Sequence, residues 1–131
     1  MQGSANPFQV RSAQMAGKPL QDAAPGRPAV ERIERMISGA PVLLLMKGTP
    51  EQPMCGFSAN TVAILEEHGV PYTTFDVLSD EDVRSAAKEY ARWPTFPQLW
   101  IRGELVGGSD IVSEMHASGE LHRILEVGGR G

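Results

Sequence analysis

Cysteine is nearly absent: the 131-residue chain has one, Cys55. A single thiol cannot close an internal disulfide, which excludes the disulfide-stapled class and suits a reducing compartment. A structural zinc site draws most of its ligands from several Cys and His. One Cys with the scattered His68, His116 and His122 does not supply that set. Long apolar runs are missing too. The longest, Val42-Leu43-Leu44-Leu45-Met46, is far short of the about 20 residues a membrane helix needs, so a soluble protein without a membrane partner is expected. Nor is there an excess of positive charge: 12 basic against 16 acidic side chains give a net charge of -4, and this balance points to no nucleic-acid partner. What is present is 41% hydrophobic residues, enough for one small globular domain.

Residues 1–28 differ from the remainder. They hold Pro7, Pro19, Pro25 and Pro28 among Gly, Ala, Ser and Gln without apolar periodicity, and they read as a flexible tail ahead of a domain over 29–131. The absence of a 7–15-residue apolar stretch argues against a secretory signal. Arg11, Lys18 and Arg27 against Asp22 make this segment basic. It is therefore open to two readings, a plain extension of a cytoplasmic protein or a transit peptide for an organelle matrix.

Beyond the tail, helix and strand signals alternate. Pro28 suits a first helical turn, with Val30, Ile33 and Ile37 on one face and Gly39 as the stop. Pro41 to Lys47 is an apolar run of strand length, expected to be buried on both faces. After a Pro-rich loop, a helix runs from about Cys55 to His68 with Val62 and Leu65 inward and Gly69 ending it. Tyr72 to Val77 reads as a strand. Ser79-Asp80-Glu81-Asp82 resembles a capping box opening a helix with Val83, Ala86, Ala87 and Tyr90 inward. Gln98 to Ile101 and Glu104 to Val106 flank Arg102-Gly103 as a tight hairpin. Ser109 or Asp110 can cap a last helical region that Gly119 interrupts. The order predicts an α/β fold: a mixed four-stranded sheet with helices on both faces.

Three stretches carry chemistry. Cys55 falls where a loop meets a helix start, and the free N–H groups and helix dipole there favour a thiolate, with Lys47 as a nearby cation. The motif is Cys55-Gly56-Phe57-Ser58. Serine stands where a dithiol motif would carry its resolving thiol, so the chain cannot complete an internal dithiol cycle and its chemistry must use an external thiol. In Trp93-Pro94-Thr95-Phe96-Pro97, a proline opening a strand is a candidate for a cis bond, leaving the Phe96 main chain open to an extended peptide. A plain loop with packed aromatics is the other reading. Gly107-Gly108-Ser109-Asp110 suits a helix start that receives a carboxylate or an amino group, and is also the pattern of a simple N-cap. Arg84 alone reads as a solvated helix residue.

Taken together and in this spacing, Lys47-Gly48-Thr49-Pro50, Cys55-Gly56-Phe57-Ser58, Trp93-Pro94-Thr95-Phe96-Pro97 and Gly107-Gly108-Ser109-Asp110 resemble the monothiol glutaredoxins of the CGFS class, over about residues 29 to 127. The resemblance implies a thioredoxin-like fold and a glutathione site. On it, Lys47 and Arg84 hold the glycyl carboxylate, Phe96 beside Pro97 pairs with the cysteinyl backbone, and Ser109 and Asp110 meet the γ-glutamyl end. It further implies a [2Fe–2S] cluster shared by two protomers, with Cys55 as the metal ligand and catalytic thiol.

Such a cluster wants four thiolates and the chain owns one. Two copies with two glutathiones supply four, coupling cluster, glutathione and homodimer in one event. The expected function is therefore an iron–sulfur cluster carrier serving recipient apo iron–sulfur proteins and iron homeostasis. Any enzymatic activity is expected to be at most weak. The alternative is a glutathione-dependent thiol oxidoreductase that deglutathionylates proteins through Cys55. The family also implies a BolA-like protein as a heterodimer partner. One departure stands out: many relatives carry cysteine where this chain has Ser109, so a disulfide between that position and Cys55 is excluded here.

Overall fold

A computed structural model describes residues 8–11 and 28–130. Its elements, in chain order, are β1 (Phe8–Arg11), α1 (Ala29–Gly39), β2 (Val42–Met46), α2 (Gly56–His68), β3 (Tyr72–Asp76), a 3-10 turn (Val77–Ser79), α3 (Glu81–Ala91), β4 (Gln98–Ile101), β5 (Glu104–Gly107), α4 (Ser109–Ser118) and α5 (Glu120–Arg130). The strands form one sheet in the order β1-β3-β2-β4-β5. β2 and β3 are parallel, with Leu43 opposite Thr73, while β4 pairs antiparallel with both β2 and β5. The expected four-stranded mixed sheet is present, and β1 adds a fifth strand, antiparallel to β3 along the outer edge. Phe8–Arg11 lies inside the segment expected to be tail; the rest of that segment up to residue 27 falls outside the described residues.

β2 explains how the two layers share one sheet. Its side chains alternate, so Leu43 and Leu45 enter a core with Ile33, Met36, Phe75, Val83 and Trp100 on the α1/α3 side. Val42, Leu44 and Met46 enter a second core with Leu65, Leu99, Val112, Leu121 and Leu125 on the α2/α4/α5 side. All five residues of β2 are buried, as the continuous apolar run predicts for a strand covered on both faces.

Several local expectations are corrected. In α1, Val30 is 46% exposed, and Met36 joins Ile33 and Ile37 inward. In α3, Val83, Ala86 and Ala87 are buried but Tyr90 is exposed, its ring 6.0 Å from that of Trp100. The α3 cap is Asp80 rather than Ser79: its carboxylate accepts the Val83 N–H at 3.1 Å, while the Ser79 hydroxyl donates to the Asp76 carbonyl at 2.6 Å. Asp80 also receives the Arg32 guanidinium at 2.9 Å, which ties α1 to α3. The N-cap of α4 is Gly108, without a side-chain cap, so neither Ser109 nor Asp110 is spent on that task. The β4–β5 turn follows the expected form, with Arg102 and Gly103 both at positive φ, 50° and 84°.

Candidate functional site

Cys55 is the N-cap of α2. Its backbone is extended, and its Sγ accepts the Ser58 N–H at 3.4 Å in the place a serine or aspartate oxygen usually takes. Ser58 Oγ lies 3.6 Å from the same sulfur and accepts the Lys47 N–H at 3.1 Å. With a lone pair engaged by Lys47, the Ser58 hydroxyl proton is free to point at a thiolate. Burial pushes the Cys55 thiol up. The Ser58 N–H, the Ser58 hydroxyl, the Phe57 N–H and the Lys47 charge outweigh it and leave the thiol below its ordinary value. The sulfur is partly exposed and unpaired, so a thiolate there is available to an external partner.

The loop before Cys55 is held from behind. The Gly48 N–H donates to Asp76 Oδ1 at 2.9 Å, at the end of the neighbouring strand β3. The Met54 N–H returns to the Lys47 carbonyl at 2.9 Å, and Gly48 bridges to Pro53. Gly48 has φ +91°, and an added Cβ would lie 2.5 Å from the Gln52 carbonyl, so this tight return admits only glycine. Met54 and Phe57 are left exposed beside Cys55, at 61% and 64%.

Next to Cys55 opens a cavity of about 590 Å³, within the usual range for small-molecule sites. Lys47, Cys55 and Phe57 form one wall, Trp93 to Pro97 without Pro94 a second, and Gly108 to Ile111 a third. The Phe96–Pro97 peptide bond is cis. Phe96 buries its side chain in the α1/α3 core, and its main chain precedes the β4 ladder, whose pairing with β2 starts at Gln98 opposite Leu45. Buried Gln98 steadies this wall: its amide donates to the Trp93 and Thr95 carbonyls at 3.3 and 3.4 Å and accepts the Trp100 indole N–H at 3.3 Å.

Six of the residues singled out from the sequence, Lys47, Cys55, Phe96, Pro97, Ser109 and Asp110, come together around this cavity. Arg84 does not line it; its guanidinium lies 3.7 Å from Glu81 on the same helix. Sequence reasoning missed Gln98 and Asp76, whose roles are backbone support from neighbouring elements. It also treated the three histidines as scattered, whereas His68, His116 and His122 meet at the α2/α4/α5 corner.

Comparison with known proteins agrees with this geometry. Residues 42–106 match the Glutaredoxin family model. Monothiol glutaredoxin-S11 of rice is 52% identical over 96 residues, covering 73% of this chain and 20% of that protein. Glutaredoxin 4 of Haemophilus ducreyi is 47% identical over 97 residues, covering 74% of this chain and 91% of that one. The solution structure of a monomeric truncated mutant of Trypanosoma brucei 1-C-Grx1 superposes with a TM-score of 0.71 at 44% identity, covering 79% of this chain and 94% of that one. The chain spans less than a third of the length of the larger relatives it matches. With a thioredoxin-like sheet, one partly exposed thiol and no second cysteine, this chain belongs to the glutaredoxin family, in its monothiol class.

Proposed function

We propose that the protein binds glutathione in the cavity beside Cys55 and, as a homodimer, carries a [2Fe–2S] cluster for delivery to recipient apoproteins. The observation that carries this reading is the placement of one activated thiol in the wall of a cavity with Lys47 on one side and Ser109 and Asp110 on the other. Lys47 offers a cation to the glycyl carboxylate of glutathione. The cis-proline wall at Phe96 presents a main chain outside the sheet ladder for the cysteinyl backbone. Ser109 and Asp110 face the γ-glutamyl end, where the ammonium needs oxygen acceptors and the carboxylate needs hydrogen-bond donors.

The donor set fits a borrowed-ligand cluster. The chain's one cysteine supplies one thiolate, and among the described residues no group of three or more His, Cys, Asp and Glu could hold a metal ion. Four thiolates are then reached with Cys55 from each of two protomers and one thiolate from each of two glutathiones. The exposed Met54 and Phe57 beside the thiol supply apolar surface around the junction. A BolA-like protein replacing one protomer is a heterodimeric variant of the same assembly.

The test is anaerobic reconstitution with iron, sulfide and glutathione. Visible absorption together with the mass of two protomers, lost when glutathione is omitted and lost in Cys55→Ser, is the expected result. Colour retained in Cys55→Ser, or a coloured monomer, overturns the reading. The lowered thiol pKa favours a second activity, deglutathionylation by monothiol exchange at Cys55. A colourless monomer that rapidly reduces glutathione mixed disulfides would make that the main one.

A further inference from the structure

Asn60 takes no part in the cavity wall, yet it reaches across from α2 to α4. Its Nδ2 lies 3.0 Å from Ser109 Oγ and 2.9 Å from Ser113 Oγ, so one carboxamide donates to two hydroxyls a helical turn apart. Ser109 is 8% exposed and lines the cavity; Asn60 is exposed and outside it. A hydroxyl has one proton and two lone pairs. An oxygen that already accepts from Asn60 keeps its proton to give, and Asp110 and the free N–H groups at the start of α4 share the same end of the cavity.

Resting on the proposed glutathione site, we infer that Asn60 is a positioning residue that sets Ser109 as a hydrogen-bond donor, and so selects a carboxylate oxygen at the γ-glutamyl end of the cavity. Serine accepts the Asn60 N–H well, whereas a cysteine at this place would be a weak acceptor. Asn60 and Ser109 therefore act as a matched pair. The carboxylate accepts a hydrogen bond from the Ser109 hydroxyl, while the ammonium group of the ligand is left to Asp110. Because Asn60 is exposed and alanine favours the helix, Asn60→Ala is expected to fold normally.

The test is NMR titration of the reduced protein with glutathione and with 4-aminobutyryl-Cys-Gly, which lacks the γ-glutamyl carboxylate. Asn60→Ala should weaken glutathione about three- to tenfold, the net worth of one directed hydrogen bond. It should leave the decarboxylated analogue unchanged, and in a Ser109→Ala background it should have no further effect on either ligand. Equal weakening of both ligands, or no weakening of glutathione by a variant whose wild type binds it, overturns the inference and spares the site. Absence of glutathione binding in the wild type overturns the glutathione site itself, and the inference with it.

Discussion

His68 Nε2 lies 3.0 Å from His116 Nδ1, joining the C-terminal ends of the two helices whose N-terminal ends reach the cavity. One ring must donate and the other accept, so the bond survives only while at least one ring is neutral. His116 Nε2 also meets Glu67 at 3.0 Å, and the His122 ring stacks over His68 at 6.0 Å. Burial lowers the His68 pKa, the His116 and His122 charges lower it further, and Glu67 raises it in part. The folded state therefore takes up this proton less readily than the unfolded chain. Stability is full above pH about 6.5 and falls as pH drops through that value. Thermal unfolding between pH 7.5 and 5 should show this slope, and His68→Gln should flatten it. An equal slope in the variant would remove His68 as its source.

The Ser58 hydroxyl has two tasks, and one substitution separates them. Ser58→Ala takes a hydrogen bond from the Cys55 thiolate while leaving the Ser58 N–H in place, so the thiol pKa should rise toward its ordinary value. Rates of iodoacetamide alkylation against pH would show the midpoint moving up. The same change strips the Lys47 N–H of its acceptor at a fully buried position, and should cost about 1–3 kcal/mol in chemical denaturation.

The parts of this molecule that were legible in sequence are those fixed by local pattern. β2 could be read because five consecutive apolar residues have the length of a strand covered on both sides, and the β4–β5 turn because Arg102-Gly103 sits between two short strand-like runs. Cys55 at a helix start could be read from the loop prolines and the helical run after it. The histidine cluster could not, since His68 and His116 are 48 residues apart and meet only through the packing of α2 on α4. β1 was hidden for another reason: Phe8-Gln9-Val10-Arg11 alternates apolar and polar, but over only four residues inside a Pro-containing stretch, and that is too short to stand out without its pairing partner β3. Asp80 was one residue from the expected cap because both Ser79 and Asp80 are good N-cap types, and Arg32 from α1 favours the carboxylate.

Asp80 combines helix capping with a charge contact to the nearly buried Arg32, so its two roles can be titrated apart. Burial raises its pKa, but the Val83 N–H, Arg32 and the Asp82 N–H lower it more, leaving it below the usual carboxylate value. A depressed carboxylate contributes stability above pH about 3.8, lost as pH falls through the folded-state value. Asp80→Asn keeps a capping oxygen and should cost about 1 kcal/mol, since Asp80 is partly solvated and the pair is screened accordingly. Asp80→Ala loses the cap as well and should cost about 2 kcal/mol. Urea unfolding at pH 7 and pH 3 measures both, and the difference between wild type and Asp80→Asn should shrink at the lower pH.

Lys47 and Arg84 are paired by the family resemblance, but of the two only Lys47 lines the cavity. Lys47 lines the cavity beside Cys55, while Arg84 lies outside that lining with Glu81 at 3.7 Å. A hydrogen bond from Lys47 to a carboxylate is worth roughly 1.5–3 kcal/mol, so Lys47→Ala should weaken glutathione about ten- to a hundredfold. Arg84→Ala, with its guanidinium near the Glu81 carboxylate and outside the cavity lining, should weaken it less than about threefold. Titration of both variants with glutathione decides the matter. A loss at Arg84 equal to that at Lys47 would mean that the ligand extends past the cavity to α3, and that the glycyl carboxylate is held from two elements rather than one.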